Sequence, residues 1–394
     1  MKKCIILLTV FLGALLTLTS CWDDDHKDEK PEFVVLVYMA ADNDLSSYLY
    51  DDIREMMVGS HELNSRQKLV LFVDRRGQKP YLMEVSKGDT TRLKTFDTEM
   101  KSSDPATLQL AFQKVVKNYP CSSYGLVLWG HADGWTYKTD DQQQAAPRRA
   151  YGIDVTGGST WMNIPEMAQA LGAVRKLKFI FADCCAFQSV ESAYELRNVT
   201  DYIIASPAEI PSEGAPYNTV IPALFSKDEA FYKLAVDNYF EQVITGNKVP
   251  LSVIKTSAMK PLADATRQVL ASFVPKLENS RYPDVSGLIY YYDYTLIDMN
   301  DFIMRYASDD EYTAWKKAFD EAVIYKTYTP RWVANHVLFY KFDITEERYG
   351  GMNMFVPMDV ERYADSYRDK MKIQNENISK MQWYQAAGLA DLGW

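Results

Sequence analysis

Two apolar runs constrain this chain more than any other feature: Leu126-Val127-Leu128-Trp129 leading into Gly130-His131, and Phe179-Ile180-Phe181-Ala182 leading into Asp183-Cys184-Cys185. Each is short and continuous, the pattern of a strand buried on both faces. Strands of that kind belong to parallel sheets, whose carboxyl ends open into one crevice. A histidine and a cysteine far apart along the chain are thereby expected in the same crevice, the arrangement of a thiol nucleophile with a histidine base. Strand alternation does not choose between Cys184 and Cys185.

The surrounding pattern supports such a sheet. Residues 33–39 are apolar throughout and read as a first strand, with a turn at Asp42-Asn43-Asp44 and then Leu45, Leu49, Ile53 and Met56 at helical spacing. Residues 68–73 and 202–205 read as further strands. Asp104 before Pro105 is a helix start, with Leu108, Phe112 and Val115 as its apolar face. Residues 164–171 and 189–196 also read as helices, whereas the polar stretch between Trp135 and Tyr151 reads as an exposed loop. Strands alternating with helices predict an α/β fold with a mostly parallel central sheet flanked by helices, covering residues 33–245. Beyond it, amphipathic helices at 262–274 and 309–325 and strands at 337–342 and 352–357 predict an α+β C-terminal subdomain, 246–394, packed on the sheet edge.

The N-terminus has the order of an export signal: Lys2 and Lys3, an apolar stretch over 5–18, then small residues. That stretch is too short to span a bilayer. Leu18-Thr19-Ser20-Cys21 resembles a lipobox, which implies a signal over 1–20, lipidation of Cys21, and an acidic tether over 21–32. Trp22-Asp23-Asp24-Asp25 resembles the surface-export tag of Bacteroides-type lipoproteins, so the expected location is the outer membrane or surface of a Gram-negative cell. An ordinary secretory signal is the alternative. The formal net charge of −10 argues against nucleic acid as a partner. Only Cys121, Cys184 and Cys185 remain in the exported fold, too few for a disulfide framework and reason to suspect a reactive thiol.

Other chemistries lack their marks. The four histidines, His26, His61, His131 and His336, show no metal-ligand spacing, so no metal is expected, and nucleotide-binding and serine-hydrolase motifs are missing. Gly130 and Gly134 around His131 suggest a tight turn that exposes the imidazole, with the Ala132 N–H placed to stabilise an oxyanion. Cys185 read alone is a small buried hydrophobe; between a strand and a helix, the helix dipole is expected to lower its pKa. A vicinal Cys184–Cys185 disulfide is a rival reading.

Several blocks then match one family. Asp183-Cys184-Cys185-Ala186-Phe187 with Val190-Glu191 and Ala193-Tyr194-Glu195-Leu196 resembles the nucleophile block of the clostripain family of cysteine peptidases. Tyr38-Met39-Ala40-Ala41-Asp42-Asn43-Asp44-Leu45, Leu128-Trp129-Gly130-His131-Ala132-Asp133-Gly134-Trp135, Ala205-Ser206-Pro207-Ala208-Glu209-Ile210 with Pro216-Tyr217, and Tyr349-Gly350-Gly351-Met352-Asn353-Met354-Phe355-Val356-Pro357 are similar to its other blocks. The resemblance implies a caspase-like fold and a dyad of His131 and Cys185, with the N–H groups of Ala132 and Cys185 as oxyanion donors. Ala132 stands where the family has glycine, and Cys184 where it has alanine.

The resemblance also implies polypeptide substrates cut after Arg or Lys, with an acidic residue two positions before the cysteine meeting that side chain. Here it is Asp183, which otherwise reads as a helix cap; Glu209 and Glu213 are further candidates for the pocket. Relatives cut themselves between the histidine and the cysteine after a basic residue, which points to the Arg149–Ala150 bond. Calcium acts in some relatives, and Asp42, Asp44, Asp140 and Asp141 carry the oxygens for it, without an EF-hand spacing. The alternative function is a non-catalytic surface protein holding peptide or glycan on the same scaffold, using the tyrosine-rich C-terminal half.

Overall fold

The computed structural model describes residues 30–139, 150–156, 158–241, 248–277, 282–291, 295–334, 337–341, 344–362 and 365–394. Strand β1 (Phe33–Ala41) is apolar at every position and buried from end to end, so it must lie inside a sheet covered on both faces. It pairs in parallel with β2 (Gln67–Arg75) on one side and β5 (Ser123–Trp129) on the other. Strands β3 (Tyr81–Ser86) and β4 (Asp89–Thr95) continue outward from β2 in antiparallel order. Strands β6 (Tyr151–Asp154) and β7 (Thr160–Met162) form a separate hairpin. On the far side, β8 (Leu177–Asp183) joins β5 in parallel and β9 (Thr200–Ala205) joins β8.

The sheet does not stop near residue 245. Strand β10 (Ser252–Lys255) pairs antiparallel with β9; beyond the short β11 (Ile297–Asp298), β12 (Val323–Lys326) pairs with β10. Leaving the β9 edge bare would expose a row of unpaired amides, and these strands cover it. Among the described residues the order is β12-β10-β9-β8-β5-β1-β2-β3-β4, five parallel strands with an antiparallel pair at each edge. The remaining short strands are β13 (Arg331–Ala334), β14 (Val337–Lys341) and β15 (Asn353–Met354).

Strand alternation divides the core. Val34, Leu36, Tyr38 and Ala40 face the helices Pro105–Asn118, Ile164–Gly172, Val190–Leu196 and Met259–Phe273, whereas Phe33, Val35, Val37, Met39 and Ala41 face Leu49–Gly59, Tyr217–Leu224 and Phe231–Glu241. The result is an α/β sandwich of three layers.

Three local expectations change. The β3–β4 hairpin escaped the apolar-run criterion because β4 is a polar edge strand; Lys87 and Gly88, with φ of 50° and 81°, make its turn. The helix expected over 309–325 ends at Ala322, because the next four residues enter the sheet as β12. The described ends of the loop between Trp135 and Tyr151 are buried rather than exposed: Trp135 packs on Phe355, and Ala150 and Tyr151 bridge to the turn that carries His131, leaving all three with no accessible surface.

Candidate active site

Register pairing places the site. Trp129 of β5 sits opposite Asp183 of β8, so His131 and Cys185 each leave their strand two residues past a matched pair. Neighbouring strands lie about 4.8 Å apart, so both residues follow adjacent strand ends at the carboxyl end of the sheet. His131 is a quarter exposed and Cys185 is half-buried. Cys184 is fully buried, and both are free thiols, so no vicinal disulfide forms.

The chain on either side of the sulfur is held by the backbone. Ala186 takes a left-handed φ of 55°, uncommon for a residue with a Cβ, and its N–H donates to Ala208 O at 2.8 Å. Gln188 N–H donates to Ser206 O at 3.0 Å. From the C-terminal block, Asn353 N–H donates to Gln188 O at 3.0 Å, and its side-chain amide donates to Pro207 O at 2.9 Å and Ala186 O at 3.4 Å. Phe355 N–H donates to Glu191 at 2.8 Å. The matched residues 349–357 thus hold the nucleophile turn; of the strand expected over 352–357, only Asn353 and Met354 form one.

The ionisation expected of the thiol is reversed. Burial pushes Cys185 up to about 12, and the carboxylates of Glu209, Asp133 and Asp183 add to the rise, against the Ile210 N–H. The helix dipole does not prevail because the following helix begins at Val190, capped by Ser189, beyond the left-handed turn. Sγ accepts from Ile210 N–H at 3.4 Å and faces Ile210 O at 3.8 Å. His131 Nε2 lies 2.8 Å from Asp44 Oδ1.

The His131 turn is pinned by the segment beyond the polar loop. Gly152 N–H donates to His131 O at 2.8 Å and Asp133 N–H to Ala150 O at 3.3 Å, a bridge that leaves the Ala132 N–H outside the ladder. Ala150 is buried at this bridge, while Arg149, Cys21, Asp140 and Asp141 lie outside the described residues.

The acidic candidates differ in setting. Asp183 does not cap the next helix. It is 3% exposed and accepts from Ala215 N–H at 3.0 Å, Tyr217 OH at 2.7 Å and Tyr239 OH at 3.0 Å. Burial raises its pKa and those three donors act against the rise. Gly214, at φ 63°, passes so close that a Cβ there would sit 2.7 Å from Asp183 Oδ2. Glu209 is also 3% exposed and within electrostatic reach of Cys185, whereas Glu213 stands on an exposed turn. Tyr217, Tyr239, Asn353 and Gln188 were not singled out by sequence reasoning, although three of the four lie in or beside the matched blocks, and Asp44 was singled out only for calcium.

Among the described residues no three His, Cys, Asp or Glu side chains gather to hold a metal ion. Asp42 and Asp44 serve different partners, Thr156 N–H and His131.

Buried carboxyls near the sheet end have a further consequence. Asp52, which accepts from Trp129 Nε1, is raised to about 8 by burial and then by Asp183; Glu191 is raised to about 8 by burial. Asp74 and Asp154 face each other across the Ser102 N–H at 3.0 and 2.9 Å, so burial favours a proton on the pair. A carboxyl raised by folding keeps its proton in the native state, so its contribution is full below pH about 4 and is lost as pH rises through 8, at up to about 1.4 kcal/mol per pH unit per group. Thermal unfolding between pH 5 and 9 is expected to show stability falling with pH, with a shallower slope in Asp52→Asn. Equal slopes in the two proteins would count against a protonated Asp52.

Comparison with known proteins bears on the family and the fold. The family model described as the clostripain family of peptidases matches residues 37–386. Clostripain of Hathewaya histolytica is 23% identical over 223 residues, half of this chain; the chain spans 42% of that protein's length. A secreted cysteine protease of Bacteroides thetaiotaomicron, solved with an irreversible peptide inhibitor, superposes with a TM-score of 0.75 at 28% identity, covering 91% of this chain and 99% of that one. An inactive zymogen protease of Parabacteroides distasonis gives 0.74 at 27% identity, over 91% and 98%.

Proposed function

Since this chain belongs to the clostripain family of cysteine peptidases, we propose that it is an endopeptidase that cuts polypeptides after Arg or Lys, with Cys185 as nucleophile and His131 as proton carrier. The observation that supports this reading is the Trp129–Asp183 register, since His131 and Cys185 each follow that pair by two residues on adjacent parallel strands. Sγ attacks the substrate carbonyl as its proton passes to His131, and the tetrahedral oxyanion meets the N–H groups of Ala132 and Cys185. The imidazolium then protonates the leaving amine, giving a thioester; His131 deprotonates the water that hydrolyses it.

A thiol held near 12 by burial and surrounding carboxylates is a poor nucleophile at rest. A cationic side chain arriving beside Glu209 offsets that negative field, so the preferred substrate also promotes the ionisation it needs. Glu209 is the carboxylate we assign to the guanidinium or ammonium, with Asp183 adding negative potential from its buried position; Glu213 has a lesser part at the rim. Self-cleavage after Arg149 is part of the proposal, supported by the attachment of Ala150 beside the His131 turn. The lipid anchor on Cys21 is a proposal from the sequence; no described helix is long and apolar enough to cross a membrane.

A panel of reporter peptides ending in Arg, Lys or a neutral residue tests the specificity. Glu209→Gln is expected to lower kcat/KM for the basic peptides by about 10- to 100-fold, the loss of a charge-assisted hydrogen bond, and to change the neutral one little. Equal effects on all three would overturn the role of Glu209.

A further inference from the structure

Resting on the peptidase reading above, we propose that Asp44 is the positioning residue of His131: its carboxylate holds Nε2, so that Nδ1 is the nitrogen exchanging protons with Cys185. The contact is 2.8 Å between Asp44 Oδ1 and His131 Nε2. It joins two segments that the parallel ladder already brings together, since Met39 of β1 is opposite Trp129 of β5 and both residues lie just past that pair.

The aspartate side chain is 81% exposed, yet its backbone is fixed. The preceding Asn43, fully buried, accepts from Leu45 N–H at 2.9 Å and donates to Ala40 O at 2.9 Å and Ile153 O at 2.8 Å, locking the turn to the end of β1 and to β6. On the histidine side, Gly130 has a φ of 147° and passes so near Ala40 that a Cβ would lie 3.1 Å from its carbonyl oxygen. The absence of a side chain there lets the His131 turn close against the β1 end. Two turns held to the end of β1 thus fix the backbone positions from which ring and carboxylate meet, unlike a surface ion pair between unanchored segments.

Proton bookkeeping is simple. At rest the ring is neutral, with its hydrogen on Nε2 donated to Asp44. The thiol proton moves to Nδ1 as the S–C bond forms, and the imidazolium is stabilised by the carboxylate, which stays ionised throughout. Nδ1–H then protonates the leaving amine as the C–N bond breaks, restoring the same tautomer. Other titratable groups described near this strand end include Cys185, Asp133, Glu209, Asp183 and Asp52, with Asp42, Asp154 and Glu99 around the turn that carries Asp44.

The test compares Asp44→Ala and Asp44→Asn with wild type, each confirmed folded by thermal unfolding. Asp44→Ala is expected to lower kcat about 10-fold with KM within about twofold, a modest share of the range seen for acid–base catalysis because the pair is exposed. The acidic limb of the kcat/KM profile is expected to move down by about half a unit as the imidazolium loses its counter-charge. Asp44→Asn, which still accepts from Nε2–H, is expected to recover much of kcat while keeping the displaced limb, a split that a purely structural role would not produce. NMR titration of the His131 ring, resolvable among four histidines, reads the pair without catalysis and should show the same displacement. Wild-type kcat and an unmoved His131 titration in Asp44→Ala would overturn the assignment. A wild-type protein inert on every reporter peptide would instead overturn the peptidase reading, and with it the catalytic use of a pair the titration still detects.

Discussion

Cys185→Ala is expected to lower kcat/KM on Arg- and Lys-ended peptides by roughly 10⁴-fold or more, the scale on which deleting the nucleophile of a covalent hydrolase acts. Without the sulfur no thioester forms, and neither His131 nor the oxyanion donors supply a substitute. The loss is expected to be purely chemical. The turn is held through Ala186, Gln188 and Asn353, none of which uses Sγ, whose described hydrogen bonds are to Ile210 alone. Thermal unfolding should therefore stay close to wild type while turnover disappears. Mass spectrometry of the same variant should find one intact chain, whereas wild type should be cut after Arg149. A variant that cleaves as fast as wild type would remove Cys185 from the mechanism.

The second large effect is on stability. Asp183→Ala removes the acceptor shared by Tyr217 OH, Tyr239 OH and Ala215 N–H, all buried, and leaves three donors without a partner. Stripping the centre from such a network costs about 3–5 kcal/mol, the range for breaking a buried charged hydrogen-bond set. Activity is expected to fall with it, because the loop carrying Ala215 also carries Ile210, against which the sulfur rests. Asp183→Asn keeps the shape and one acceptor oxygen and should lose less. Thermal or denaturant unfolding of both variants checks this. Wild-type stability in Asp183→Ala would mean that the carboxylate serves substrate and not structure.

What could be read from the residues follows from what sets each feature. Strands β1, β2, β5, β8 and β9 are visible because a strand buried on both faces must be apolar at nearly every position, as residues 33–41 are. The start of the helix Pro105–Asn118 is visible because Asp104 supplies its cap locally, accepting from Ala106 N–H at 2.8 Å. Strands β10 and β12 are four residues each and abut helical patterns, so only tertiary pairing distinguishes them. The site divides in the same way. His131 and Cys185 end legible strands, but the field around the sulfur comes from Glu209 and Asp133, brought in by loops whose paths no local pattern encodes. Hence the position of both residues at the ends of parallel strands was legible and the field around the sulfur was not. Asp44 and Tyr217 lay inside matched blocks, yet their partners are 87 and 34 positions away.

The adjacency of β5 and β8 has one more consequence. A chain severed anywhere between Thr139 and Ala150 would keep the imidazole on one fragment and the sulfur on the other, joined along the centre of a continuous ladder and through both apolar layers. Separating such fragments would mean unzipping the middle of the sheet, so dilution alone is not expected to release them.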